Sequence, residues 1–187
     1  MNPSTEDILN ALDHINAEKI FVLPNNKNIL LAANQASDLS KEKKLFVIPT
    51  KTIPQGISAL IAYNEESDEK TNIDNMNEAI SLVKTGQITY AVKDTTIDKI
   101  AIKKNDFMGI GDEGLISSNK NILKTVYSTV NKLVNDDSEF LSIYYGRDVK
   151  EKDALKVSKD LEKIYPDLEI EVHYGGQNVY YYIISVE

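Results

Sequence analysis

Cysteine is absent from this chain of 187 residues, which excludes disulfides, thiolate catalysis and cysteine-based zinc sites. Histidine is scarce, and its two copies, His14 and His173, lie near opposite ends. A catalytic zinc takes several closely disposed ligands, so two distant imidazoles do not point to a zinc hydrolase. Each is read as a surface or packed side chain. Long apolar runs are missing too. The most apolar stretch, Tyr180 to Val186, is far too short to span a bilayer, so no transmembrane segment is expected. The first residues, Met1-Asn2-Pro3-Ser4-Thr5-Glu6-Asp7, carry neither a basic segment nor an apolar one; a signal peptide is not expected and a cytoplasmic location is. No G-x-x-x-x-G-K-[ST] loop and no G-x-S-x-G elbow occurs. Basic charge is in deficit, leaving a net −8. That balance argues against nucleic acid or an anionic membrane as partner and suits solubility.

What is present has the pattern of an α/β protein. Ser4 or Thr5 precedes acids and a helical spacing of Ile8, Leu9, Leu12 and Ile15. Ile20 to Leu23 and Leu45 to Ile48 are short continuous apolar runs, which suit strands buried on both faces. A helix over Ile29 to Leu39 lies between them, giving the length of a parallel βαβ unit. Thr52 then caps a third helix with Pro54 in its first turn. A fourth helix uses Ile73, Met76, Ile80 and Val83, with Gly86 expected to close it. Strands follow at Ile88 to Val92 and around Ile100 and Ile102, and a fifth helix carries Val126, Val130 and Leu133. Asn135 to Ser138 reads as an internal boundary. It divides a larger lobe, 1–136, with a mainly parallel sheet flanked by helices, from a β-α-β-β lobe, 137–187. In the latter, Gly175-Gly176 suggests a closing hairpin.

Two loops stand out. Pro24-Asn25-Asn26-Lys27-Asn28 leaves the first strand and Pro49-Thr50-Lys51-Thr52 the second. Parallel neighbours would send both to one carboxyl edge, where open α/β sheets place ligands or partners. Asn, Thr and Pro also cap helices, and capping is expected there in any case. Gly109-Ile110-Gly111-Asp112-Glu113-Gly114 matches G-x-G-x-x-G formally, but no helix opens directly after it and its acids would repel a pyrophosphate. A glycine-rich bend between strands is the better reading. Tyr180 to Tyr182 is read as strand packing, and the acidic loop Glu65 to Glu69 as a solvated face or a contact for a basic partner.

The segments Phe21 to Ile29 and Val47 to Gly56, with Asp106 to Asp112 and Tyr174 to Gln177, resemble the carboxy-terminal region of the ATP-binding subunit of bacterial fatty acid kinase. That family is related to dihydroxyacetone kinase-like and DegV-like proteins, so the resemblance implies a DegV-like fold. It also implies that ATP and Mg belong to domains of the longer protein outside this piece, with no catalytic residue, metal ligand or cofactor here. The expected role is to dock the fatty-acid-binding protein so that its acyl carboxylate is phosphorylated by ATP held on another domain, feeding phospholipid synthesis. The remaining domains of the same chain would be its other partners. Asn25, Asn26, Lys27, Thr50, Lys51 and Thr52 are the expected contact residues. The alternative is a ligand-binding domain that itself holds an acyl chain or other small molecule. No constellation supports an independent enzyme.

Overall fold

The computed structural model describes residues 2–97 and 100–187 and divides the chain into two compact units, Met1–Val83 and Lys84–Glu187. The expected boundary near 136 is thereby corrected.

In the first unit, α1 (Thr5–Asp13) starts at Ser4, which forms a reciprocal capping box with Asp7. Next come β1 (Lys19–Val22), α2 (Lys27–Leu39), β2 (Lys44–Val47), α3 (Ile53–Ile61) and α4 (Glu69–Leu82). The expected βαβ unit is present: β1 and β2 are parallel, with Lys19 opposite Lys44 and Val22 opposite Val47. Each strand feeds two cores because successive side chains point to opposite faces. Ile20 and Leu45 pack with Leu12 and Ala36 of the first two helices. Phe21, Leu23 and Ile48 pack with Ala59 and Met76 of the next two. Asn72, buried in α4, holds the preceding turn by accepting from the Asn64 N–H at 2.8 Å and donating to its carbonyl at 2.8 Å.

The second unit contains β3 (Lys84–Tyr90), β4 (Thr95–Ile97), β5 (Ile100–Ile102), β6 (Phe107–Gly111), β7 (Gly114–Asn119), α5 (Ile122–Leu133), β8 (Phe140–Tyr145), α6 (Glu151–Ile164), β9 (Glu169–Tyr174) and β10 (Tyr182–Val186). The turn between β4 and β5, expected from the sequence, includes Asp98 and Lys99, which lie outside the described residues. Six strands form one sheet in the order β7-β6-β3-β10-β8-β9. Within it β8 and β9 are parallel, and the other pairs are antiparallel. The expected mainly parallel sheet is therefore limited to β1 and β2 in the larger amino-terminal lobe, and the principal sheet is mainly antiparallel.

Three further expectations change for one reason. Strand β10, the last in sequence, enters the middle of the sheet between β3 and β8 and is buried along its whole length. It pairs Tyr182 with Ile88 on one side and with Tyr145 on the other. It therefore ties residues after 137 to residues before it, erasing the supposed lobe boundary. It also parts company with β9, so no hairpin forms around Gly175-Gly176. Tyr180 and Tyr181 precede the strand rather than alternating within it. Gly86 does not close α4, whose C-cap is Val83, but lies within β3. Its missing side chain is needed there: a Cβ would stand 2.6 Å from Thr129 Cγ2 on α5. One core of Ile88, Val126, Val130, Ile143, Val157, Leu161 and Ile184 joins α5 and α6 to the sheet.

Candidate functional site

The parallel register of β1 and β2 brings the two polar loops out at the same edge. They touch directly: Thr50 Oγ1 donates to the Pro24 carbonyl at 2.6 Å. The Ile48 N–H also donates to the Val22 carbonyl at 3.0 Å, extending the pairing beyond the strands. The two corners thus form one rim.

Each corner opens a helix, as the residue types required. Asn26 caps α2, its Oδ1 accepting from the Asn28 N–H at 2.9 Å. Thr52 caps α3, its Oγ1 accepting from the Gln55 N–H at 3.4 Å. Gln55 Oε1 in turn accepts from the Lys51 N–H at 2.8 Å, which holds the loop against the helix. Proline at the start of α3 supplies a preset φ.

These bonds divide the six expected contact residues. Asn25, Lys27 and Lys51 are exposed and Asn26 is half-buried. Thr50 is 0% exposed and Thr52 5%, so neither presents a surface to a partner as the protein stands. Their hydroxyls are committed internally, and they build the rim instead.

The rim's electrostatics run against the chain's overall charge. Residues 19–37 and 43–64 contain no aspartate or glutamate, although the chain carries 29. Lys27 and Lys51 form no ion pair among the described residues. The amino ends of α2 and α3 add partial positive charge at the same edge. Lys19 and Lys44, at the opposite end of the strands, are instead engaged with Glu69, at 2.8 and 3.7 Å. The Lys19 ammonium holds the Glu69 carboxyl below the usual carboxylate range.

Helix α3 continues the rim and has an inverted arrangement. It contains no charged residue, its polar Gln55 is buried, and its large aliphatic side chains face solvent. Ile53, Ile57, Leu60 and Ile61 are all exposed, and Ile61 reaches 80%. They recur at i, i+4, i+7 and i+8 and so share one stripe. Sequence reasoning missed this face. Its signal was there to find: a nine-residue helix without charge, in which Pro54 and Ala59 are enough to fill the inner side.

The other candidates have local roles. His14 Nδ1 lies 2.8 Å from the Asn10 carbonyl, and His173 stacks on Tyr144 with its Nε2 2.9 Å from Glu171. The glycine-rich segment is a bend between β6 and β7. Its Asp112 accepts from Thr85 Oγ1 at 2.7 Å, which fixes the bend to β3. In the acidic loop, Asp68 caps α4 by accepting from the Thr71 N–H at 2.7 Å, while Glu65 and Glu66 remain exposed. Among the described residues no group of three His, Cys, Asp or Glu is placed to hold a metal ion, and no helix is long and apolar enough to cross a membrane.

Residues 1–187, the whole chain, match the family model of the FakA-like C-terminal domain, which is a domain of fatty acid kinase. The chain belongs to that family. It is 44% identical over 187 residues to protein YloV of Bacillus subtilis, covering 100% of this chain and 34% of that one. The FakA-like domain thus spans about a third of the length of the curated relatives it matches. Its fold is similar to that of the Streptococcus pneumoniae fatty acid kinase B3 protein loaded with linoleic acid. The TM-score is 0.69 at 14% identity, covering 99% of this chain and 76% of that chain. A DegV family protein from Ruminococcus gnavus, with vaccenic acid, gives a TM-score of 0.65 at 14% identity and covers 100% of this chain and 77% of that one. The FakA-like C-terminal domain therefore has a DegV-like fold.

Proposed function

We propose that this chain is the partner-recognition part of a fatty acid kinase, docking the fatty-acid-binding protein so that ATP on another domain phosphorylates the acyl carboxylate. Holding two reactants together supplies about 7–11 kcal/mol towards such a barrier without a catalytic group on the dock. The observation that carries the reading is the rim itself. Two polar loops are joined by the Thr50–Pro24 bond, and they offer Asn25, Lys27 and Lys51 to solvent with no carboxylate in either segment. ATP and Mg belong, on this reading, to the remainder of the longer protein, and location in the cytoplasm fits a reaction that consumes ATP. The test is calorimetric titration of this chain with its fatty-acid-binding partner, then with ATP and Mg. Saturable binding of the protein with no heat from the nucleotide is expected. No interaction with the protein, or saturable binding of ATP, refutes the proposal.

A second reading, in which the chain itself holds an acyl chain, is favoured by its likeness of fold to the linoleate-loaded protein. Lipid recovered from the purified chain in native mass spectrometry supports it. Lipid-free protein that takes up no added fatty acid removes it.

A further inference from the structure

We infer that the outward stripe of α3 forms the apolar centre of the docking surface, and that it receives a patch on the acyl-carrying partner that is apolar in the middle and edged with carboxylates. This rests on the docking reading above and adds the interface and the chemistry of what fits it. Three observations carry it.

The first is the inversion of α3. A helix that turns Gln55 inward and leaves Ile53, Ile57, Leu60 and Ile61 in water is built for an outer neighbour as well as an inner one. The second is continuity. Ile53 follows the cap Thr52 directly, so the stripe begins at the rim that bears Lys51. The third is charge. The segments that form the rim and α3 hold no acid from 19 to 37 or from 43 to 64, while 29 acids lie elsewhere in the chain. Lys27 and Lys51 are exposed and form no ion pair among the described residues. An apolar centre with cations at its border is complemented by an apolar centre with anions at its border.

Other occupants fit less well. A second copy docking by two-fold symmetry would set this same surface against itself, lysine facing lysine and no carboxylate to answer. An anionic bilayer would attract the two lysines but repel a chain of net charge −8.

The experiment measures binding of this chain to the fatty-acid-binding protein for the wild type, Leu60→Gln/Ile61→Gln, Lys51→Glu and the control Leu155→Asp on α6. Circular dichroism melts establish that each variant is folded. The double glutamine variant is expected to lose about 30-fold or more in affinity, as truncation of central apolar contacts does. Lys51→Glu is expected to lose about tenfold and to flatten the salt dependence. Leu155→Asp is expected to match the wild type. If the wild type binds and both Leu60→Gln/Ile61→Gln and Lys51→Glu bind equally well, the inference is wrong while the docking reading stands. Absence of wild-type binding removes both. Ultracentrifugation and flotation with phosphatidylserine vesicles complete the test. Self-association or vesicle binding abolished by Leu60→Gln/Ile61→Gln, with partner affinity unchanged, assigns the stripe to that other occupant and overturns the proposal.

Discussion

Thr50 has no exposed surface, and its hydroxyl joins two parts of the chain separated by 26 residues. Proline cannot donate a backbone N–H, but the Pro24 carbonyl still needs a donor once buried, and Thr50 supplies it. Replacement by valine keeps the shape and removes that donor. Thr50→Val is therefore expected to destabilise the first unit by about 1–3 kcal/mol, read as a lower urea midpoint with an unchanged slope. Gly109 is a comparable position in the second unit. A Cβ there would lie 2.0 Å from Thr129 Oγ1 and 2.6 Å from Ser117 Oγ, two hydroxyls that are themselves 2.8 Å apart. Gly109→Ala forces these groups to move, and a loss of about 1–3 kcal/mol in chemical denaturation is the expected outcome.

At the scale of the element, α3 is unlike the other helices. The outer face of α6 carries Glu151, Lys152, Lys159 and Lys163, whereas α3 carries four aliphatic side chains in the same situation. Full burial of such a side chain contributes about 1.5–3 kcal/mol, and that contribution is forgone while it stays in water. If the stripe serves recognition rather than folding, Leu60→Gln/Ile61→Gln should leave thermal stability within about 0.5 kcal/mol of the wild type. A large fall in melting temperature would instead make these residues part of the core. The capping residues of α1, α2, α3 and α4 were legible in the sequence because the cap is a local bond: Ser4, Asn26, Thr52 and Asp68 each accept from an N–H two or three residues ahead.

For the molecule as a whole, the two units differ in what holds their ionisable groups. In the second, burial pushes the Tyr182 and Tyr127 hydroxyls up to about 12 from 10.0; the Asp160 carboxylate, which accepts from Tyr127, adds to the shift there. A phenol whose folded value is raised keeps its proton longer in the native state than in the unfolded chain. Its contribution to stability is complete below the unfolded value and is lost as pH rises through about 10 towards about 12. Tyr182→Phe cannot ionise, so its alkaline unfolding curve should be shallower than the wild type's across that interval. Equal slopes in fluorescence-detected melts would show that Tyr182 does not govern the alkaline limb. In the first unit, Glu69 is held below the carboxylate range by Lys19, so that contribution is present above the unfolded value and fades as pH falls through the folded one.

Local chemistry settled a good deal unaided. The apolar runs of β1 and β2, the intervening α2 and the Thr52-Ile53-Pro54 helix start all follow from neighbours within a few residues. The identity of the two polar loops was readable for the same reason. Tertiary structure alone decided that Thr50 and Thr52 turn inward, that α3 turns its aliphatic stripe outward, and that β10 inserts between β3 and β8. Each depends on partners remote in sequence: a carbonyl at Pro24, a core already filled by Pro54 and Ala59, and a strand from Lys84 to Tyr90 waiting for its neighbour. Periodicity names a face as apolar, but only the packed chain determines which of two apolar faces is covered.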